Sequence, residues 1–154
     1  MNRLRDLRED KDLLQKDIAA LLNIDRSTYS DYETEIVDIS TNALCILADY
    51  YKVSTDYLLY NTDERNTFNI TLRSNKNRLK EIRLSKGLRQ VDVSKLLNMS
   101  QNGLSQYETF VNDVPTNILI KLSNIYNTSI DYILCRTNNP KKYKSSIIRT
   151  KINL

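Results

Sequence analysis

Sliding the chain by 75 residues lays Asn2–Leu59 over Asn77–Leu134 without a gap, and 25 of the 58 positions are then identical. The matched pairs include Arg3/Arg78, Leu4/Leu79, Arg8/Arg83, Gln15/Gln90, Asp17/Asp92, Leu21/Leu96, Asn23/Asn98, Tyr32/Tyr107, Glu33/Glu108, Thr41/Thr116, Leu47/Leu122, Tyr51/Tyr126 and Asp56/Asp131. Many of the others are conservative, such as Ile18/Val93 and Ile39/Val114. Gapless agreement over such a length is the mark of a duplicated fold. The chain therefore divides into a first copy over 1–60, a linker over 61–75, a second copy over 76–135 and a tail over 136–154.

A length of 154 residues suits two small domains, and 40% apolar residues can build a core in each. Two glycines and two prolines argue against a sheet-rich or low-complexity protein. No apolar run is long enough to span a membrane, and the opening "MNRLRDLRED" is too charged for a signal peptide. The two cysteines, Cys45 and Cys135, have no metal-ligand spacing. Reduced thiols in a cytoplasmic protein are the simplest reading. Histidine is absent, which removes the commonest general base and metal ligand. No glycine-rich phosphate loop, paired-carboxylate motif or nucleophile elbow stands in its place. The expectation is a protein that is not an enzyme and carries no cofactor or metal.

Each copy reads as five short helices. Leu4 and Leu7 share one face of a helix running to about Lys11, and Ile18, Leu21 and Leu22 form a stripe on a second. Asn23 and Asn98 follow, and asparagine tolerates the left-handed backbone of a tight helix stop. Asp25 and Ser100 are expected to cap a third helix, with Tyr29 and Tyr32 (Leu104 and Tyr107) facing inward. Thr41 and Thr116 are expected to cap a fourth helix, carrying Leu44, Leu47, Ala48 and Tyr51 in the first copy. Ser54 and Ser129 are expected to cap a fifth, with Asp56 and Asp131 set favourably against its dipole.

A second helix opening on Gln, a sharp Asn turn and a third helix with a polar front make a helix-turn-helix arrangement. Each copy resembles the XRE (Cro and phage-repressor-like) helix-turn-helix family. The resemblance is carried by "RLRDLREDKDLLQKDIAALLNIDRSTYSDYE" with "ALCILADYYKVSTDYLL", and by "RLKEIRLSKGLRQVDVSKLLNMSQNGLSQYE" with "ILIKLSNIYNTSIDYIL". It implies an all-α fold of two tandem five-helix, lambda-repressor-like domains. It also implies that Gln15 and Gln90 bond a phosphate and help to orient the third helix. Arg26, Ser27, Thr28 and Asp31, and their counterparts Gln101, Asn102, Gly103 and Gln106, would face base edges in the major groove of double-stranded DNA. Their chemistry agrees: Gln and Asn can pair bidentately with adenine, Arg with guanine, and small residues admit the backbone. Glu33 and Glu108 read as structural.

Two departures qualify the resemblance. Leu14 and Arg89 stand where the family has a Ser or Thr cap, so Arg89 is expected to reach a phosphate instead. The loops after the third helices, "ETEIVDIS" and "ETFVNDVP", hold neither Gly nor any cation, which suggests an altered turn and lost phosphate contacts. Residues 1–60 carry seven Lys/Arg against twelve Asp/Glu, whereas 76–135 carry eight against five and 136–154 six against none. A polyanion repels an acidic domain unless its cations cluster where it docks. The second copy, with "NPKKYK" and "RTK" in its tail, is therefore the expected DNA anchor. The first copy is then a weaker reader or a contact for a regulatory protein. The opposing reading keeps both copies on DNA, with Arg3, Arg5, Lys11, Lys16 and Arg26 near the groove and the acids facing away.

"TFNITLR", 67–73, alternates apolar and polar residues as a half-buried strand does, and "SSIIRTKINL" is also β-branched. These segments either pair as a small sheet or form an extended linker and a frayed tail. Function is expected to be sequence-specific DNA binding by a transcriptional regulator of the repressor kind, with homodimerisation presenting four helix-turn-helix units. The alternative is an antirepressor-like module that binds another protein through its acidic first copy.

Overall fold

The computed structural model describes residues 1–65 and 76–148. They form two compact units, one of 1–65 with 144–148 and the other of 76–143. The first holds α1 (Leu4–Glu9), α2 (Gln15–Leu22), α3 (Arg26–Thr34), α4 (Thr41–Tyr51) and α5 (Thr55–Leu58). The second holds α6 (Leu79–Ser85), α7 (Gln90–Leu97), α8 (Gln101–Glu108), α9 (Thr116–Tyr126) and α10 (Ile130–Ile133). Every helix of the second unit begins 75 residues after its counterpart, so the duplication seen in the sequence is a duplication of the fold. The architecture is all-α.

Each core is built where the helical periodicity puts it. Leu4, Ile18, Tyr29, Leu44, Leu47 and Leu58 are fully buried in the first unit, as are Leu79, Val93, Leu104, Leu119, Leu122 and Ile133 in the second. One expected core position fails: Leu21 is 41% exposed and its counterpart Leu96 66%. α2 is only eight residues long, and Ile18 with Ala19 already fills its inner face. α1 also stops earlier than expected, at Glu9, and the chain turns through a left-handed Asp12.

Backbone conformation repeats as faithfully as the helices. The described residues with positive φ fall into five pairs 75 apart: Asp12/Gly87, Asn23/Asn98, Glu35/Phe110, Lys52/Asn127 and Tyr60/Cys135. A left-handed conformation disfavours residues with a Cβ by about 1–2 kcal/mol. One of the ten is glycine and three are asparagine, which tolerates this backbone; at the other six, packing on either side of the turn imposes the geometry. In the glycine-free loops after α3 and α8, Glu35 (φ 61°) and Phe110 (φ 63°) take a left-handed conformation.

The caps shift by one residue at α4 and α9. Ser40 caps α4, its Oγ accepting from the Ala43 N–H at 3.2 Å, and Pro115 holds the same place before α9. Thr41 and Thr116 are thus the first helical residues. Ser54 and Ser129 cap as expected, accepting from the N–H groups of Tyr57 and Tyr132 at 2.9 and 3.1 Å. Asp56 and Asp131 lie in the first turn and are buried. Asp56 accepts from Asn61 at 2.8 Å, and Asp131 is paired with Arg136.

The expected strand at 67–73 lies outside the described residues, as do 149–154. Thr62 and Ser145 form an antiparallel bridge, and no longer strand occurs among the described residues. The tail is divided between the units. Pro140 accepts from Thr128 Oγ1 and Lys142 donates to Asn124 within the second, whereas Ser145–Ile147 join the first.

Candidate nucleic-acid interface

The turn between α2 and α3 is closed by Asn23 (φ 54°, ψ 47°), and that between α7 and α8 by Asn98 (φ 54°, ψ 49°). One residue on, the Ile24 N–H donates to the Ala19 carbonyl and the Met99 N–H to the Ser94 carbonyl, each at 3.0 Å. These bonds satisfy carbonyls that the helix end would leave open. α3 and α8 then start in a fixed direction. Ser100 caps α8 by accepting from the Gly103 N–H at 3.1 Å, while Asp25, in the equivalent backbone conformation, makes no side-chain cap to α3.

The inner faces of these helices are held by Tyr29 and Tyr32 in one unit and Leu104 in the other. Their outer faces carry the residues singled out from sequence. Arg26, Ser27, Gln101 and Asn102 are exposed; Thr28, Asp31, Gly103 and Gln106 are half-buried. In each copy the four lie in the first two turns of the helix, on its open side. A Cβ at Gly103 would fall 2.8 Å from the Met99 methyl and 3.3 Å from Ser100 Oγ, so a larger residue there must displace the flexible end of Met99.

A buried ion pair supports each front. Arg8 donates to Glu33 at 2.6 and 3.2 Å, and Arg83 to Glu108 at 2.6 and 2.9 Å. Each arginine also donates to a backbone carbonyl, Leu13 at 2.8 Å and Leu88 at 2.9 Å, just ahead of α2 and α7. The same carboxylates accept from Gln15 at 3.0 Å and Gln90 at 2.8 Å. Sequence reading took Glu33 and Glu108 as structural. Here each is the joint between its unit's first helix, the glutamine opening the second and the third helix itself. Burial alone would raise the Glu33 carboxyl, but hydrogen bonds from Arg8 and Gln15 outweigh it and hold the group below the ordinary glutamate range.

The two fronts differ in what lies beyond the glutamine. Gln90 Oε1 accepts from Gln101 Nε2 at 3.3 Å, which continues the chain of bonds from Arg83 out to the reading face. In the first unit Arg26 takes the place of Gln101. Gln106 Oε1 accepts from Asn112 at 2.8 Å, a loop contact that spacing alone did not reveal.

Neither Leu14 nor Arg89 supplies a hydroxyl cap to the helix that follows it. The Leu14 N–H donates to Asp17 at 2.8 Å, half of a capping box kept without the Ser or Thr. Arg89 is held by Asp92 through bonds of 2.9 and 2.8 Å, so its guanidinium is engaged along the helix start. The loops beyond the recognition helices expose apolar side chains, Ile36 at 75% and Val111 at 68% with Val37 and Phe110 beside them.

The division of the tail narrows the charge difference expected from the sequence, because Lys144 lies with the first unit rather than the second. Residues 1–65 with 144–148 hold nine Lys/Arg against fourteen Asp/Glu, and 76–143 hold eleven against five. Over the described residues the balances are therefore −5 and +6. No group of acidic, cysteine or histidine side chains among the described residues could hold a metal ion, and no helix among them is long and apolar enough to cross a membrane.

Comparison with known proteins agrees with this geometry. A helix-turn-helix family model matches twice, over 4–58 and 79–133. The chain is similar to the HTH-type transcriptional regulator ImmR of Bacillus subtilis (strain 168), with 41% identity over 76 residues, 49% of this chain and 60% of that protein. It is also similar to the uncharacterized HTH-type transcriptional regulator YobD of the same organism, with 40% identity over 62 residues, 40% of this chain and 55% of that protein. The chain thus spans somewhat more than half the length of these relatives. No solved structure matches it. Since the family model covers both helical bundles and most of the chain, the protein belongs to the XRE-type helix-turn-helix family.

Proposed function

We propose that the protein is a DNA-binding transcriptional regulator, acting as a repressor, and that its second repeat is the main DNA anchor. The observation that carries this is the front of α8. Gln101 and Asn102 stand exposed on the cationic unit, and Gln101 is tied through Gln90 and Glu108 to Arg83 in the core. A reading residue held this way loses little freedom on binding, so more of its hydrogen-bond energy goes to discriminating the base. Gln15 and Gln90 keep a second amide hydrogen for a phosphate, and Arg26, Ser27, Thr28 and Asp31 form a parallel but acidic front. Two linked modules can engage two half-sites with the avidity of a covalent pair, and a homodimer would double that number.

A second reading applies to the first repeat alone. Its −5 balance and the exposed Ile36 and Val37 beside α3 suit a contact with a regulatory protein better than one with phosphates. Titration of fluorescent duplex DNA at increasing salt tests the main reading. Affinity should fall steeply, because phosphate neutralisation releases counterions. Absent or salt-independent binding refutes the DNA reading and leaves the protein-contact reading of the first repeat.

A further inference from the structure

The far end of the chain returns to the first repeat and is held there by one carboxylate. Asp63 Oδ1 accepts from Ser146 Oγ and Oδ2 from the Ile147 N–H, both at 2.9 Å, across more than 80 residues of sequence. The Ser146 N–H donates to the Asn61 carbonyl at 3.3 Å, Ser145 bridges Thr62, and Ser146 is fully buried. Asp63 is itself positioned by Arg3, which donates to it at 2.5 Å and to the Thr62 carbonyl at 2.8 Å. The Arg3 guanidinium lies between the rings of Tyr57 and Tyr60, 4.1 and 3.8 Å from their centroids.

The second repeat lacks this arrangement at the equivalent place. Arg78 donates to Asn138 at 2.8 Å, as Arg3 does to Asp63, but the acceptor is a neutral amide and the cysteine at 135 replaces Tyr60. A carboxylate can take one donor from the arginine and two from an arriving chain; an amide oxygen has less capacity and no charge. The site is thus specific to the first copy.

We infer that residues 144–148 are a clasp for the first repeat, and that closing it holds the second repeat at both of its ends. A module tethered at both ends samples less space than one on a single linker. Its effective concentration at a second half-site is then raised over a narrower range of spacings. That consequence rests on the DNA reading; the clasp itself does not.

Amide exchange and relaxation on the full chain test the clasp without DNA. In the wild type the Ser146 and Ile147 amides should exchange at least about ten-fold more slowly than an open tail allows. Asp63→Asn should remove that protection while the amides of Leu44 and Leu47 in α4 stay protected. If that variant unfolds the first repeat through Arg3, Ser146→Ala touches only the tail side: it removes the Oγ bond to Asp63 and should lower the protection of both amides part-way. The second repeat should tumble faster in either variant than in the wild type. Unprotected Ser146 and Ile147 in the wild type, or protection and tumbling unchanged in both variants, would overturn the clasp. Loss of DNA binding with the clasp amides still protected would count against the regulator reading alone.

Discussion

Arg83 grips Glu108 through two parallel hydrogen bonds of 2.6 and 2.9 Å, with side chains only 7% and 0% exposed. Removing one partner strands a buried charge, which costs about 3–5 kcal/mol. Arg83→Ala should therefore lower the stability of the second repeat by that order, read from its denaturant midpoint. Glu108 then loses the arginine that orients it toward Gln90, so DNA affinity should fall further than unfolding explains.

The equivalent pair in the first repeat gives a pH dependence. The Glu33 carboxyl is held below its ordinary value because the bonds from Arg8 and Gln15 outweigh burial. A depressed carboxyl stabilises the fold above the unfolded value of about 4.3 and loses that contribution as pH falls through the folded one. Acid unfolding of the first repeat should thus be steep only below about pH 4, and Glu33→Gln should flatten it. Circular dichroism during an acid titration reads both.

Much of this was legible from the repeat alone. Gapless pairing located both bundles, and Asn23 and Asn98 marked the turns because few residues other than glycine accept that backbone. What escaped was decided by tertiary contacts. Leu21 looks inward by periodicity, yet α2 is too short to bury it beside Ile18. Glu35 and Phe110 carry no hint of left-handed backbone, since packing rather than propensity puts them there. Asp63 has no sequence signal for Ser146, because the contact joins segments more than 80 residues apart. The outward residues of α3 and α8 follow from the family resemblance, while their support by Glu33 and Glu108 is a tertiary contact with no local signal.

Gly87 separates backbone strain from packing. It has φ 65°, and nothing lies within 4 Å of where its Cβ would be. Gly87→Ala should cost about 1 kcal/mol through the backbone alone. The converse change is Lys52→Gly at the exposed left-handed end of α4, which should stabilise the first repeat by about 0.5–1 kcal/mol. Denaturant titration of the two variants should show shifts of opposite sign.

Tyr126 is buried and its hydroxyl has no hydrogen-bond partner among the described residues. Burial pushes that phenol well above the ordinary tyrosine range. Deleting an unsatisfied polar atom removes a desolvation penalty, so Tyr126→Phe should be neutral or stabilising by up to about 1 kcal/mol. A loss of stability on thermal unfolding would show that the hydroxyl has a partner after all.

Selection of bound sequences from a random duplex pool bears most directly on the central claim that the front of α8 reads DNA. The wild type should enrich a defined motif. Gln101→Ala should lose discrimination at one base pair, by about 1–3 kcal/mol, with its stability unchanged, and Arg26→Ala should retain the motif. No enrichment by the wild type, or the same motif enriched by Gln101→Ala, would contradict the account.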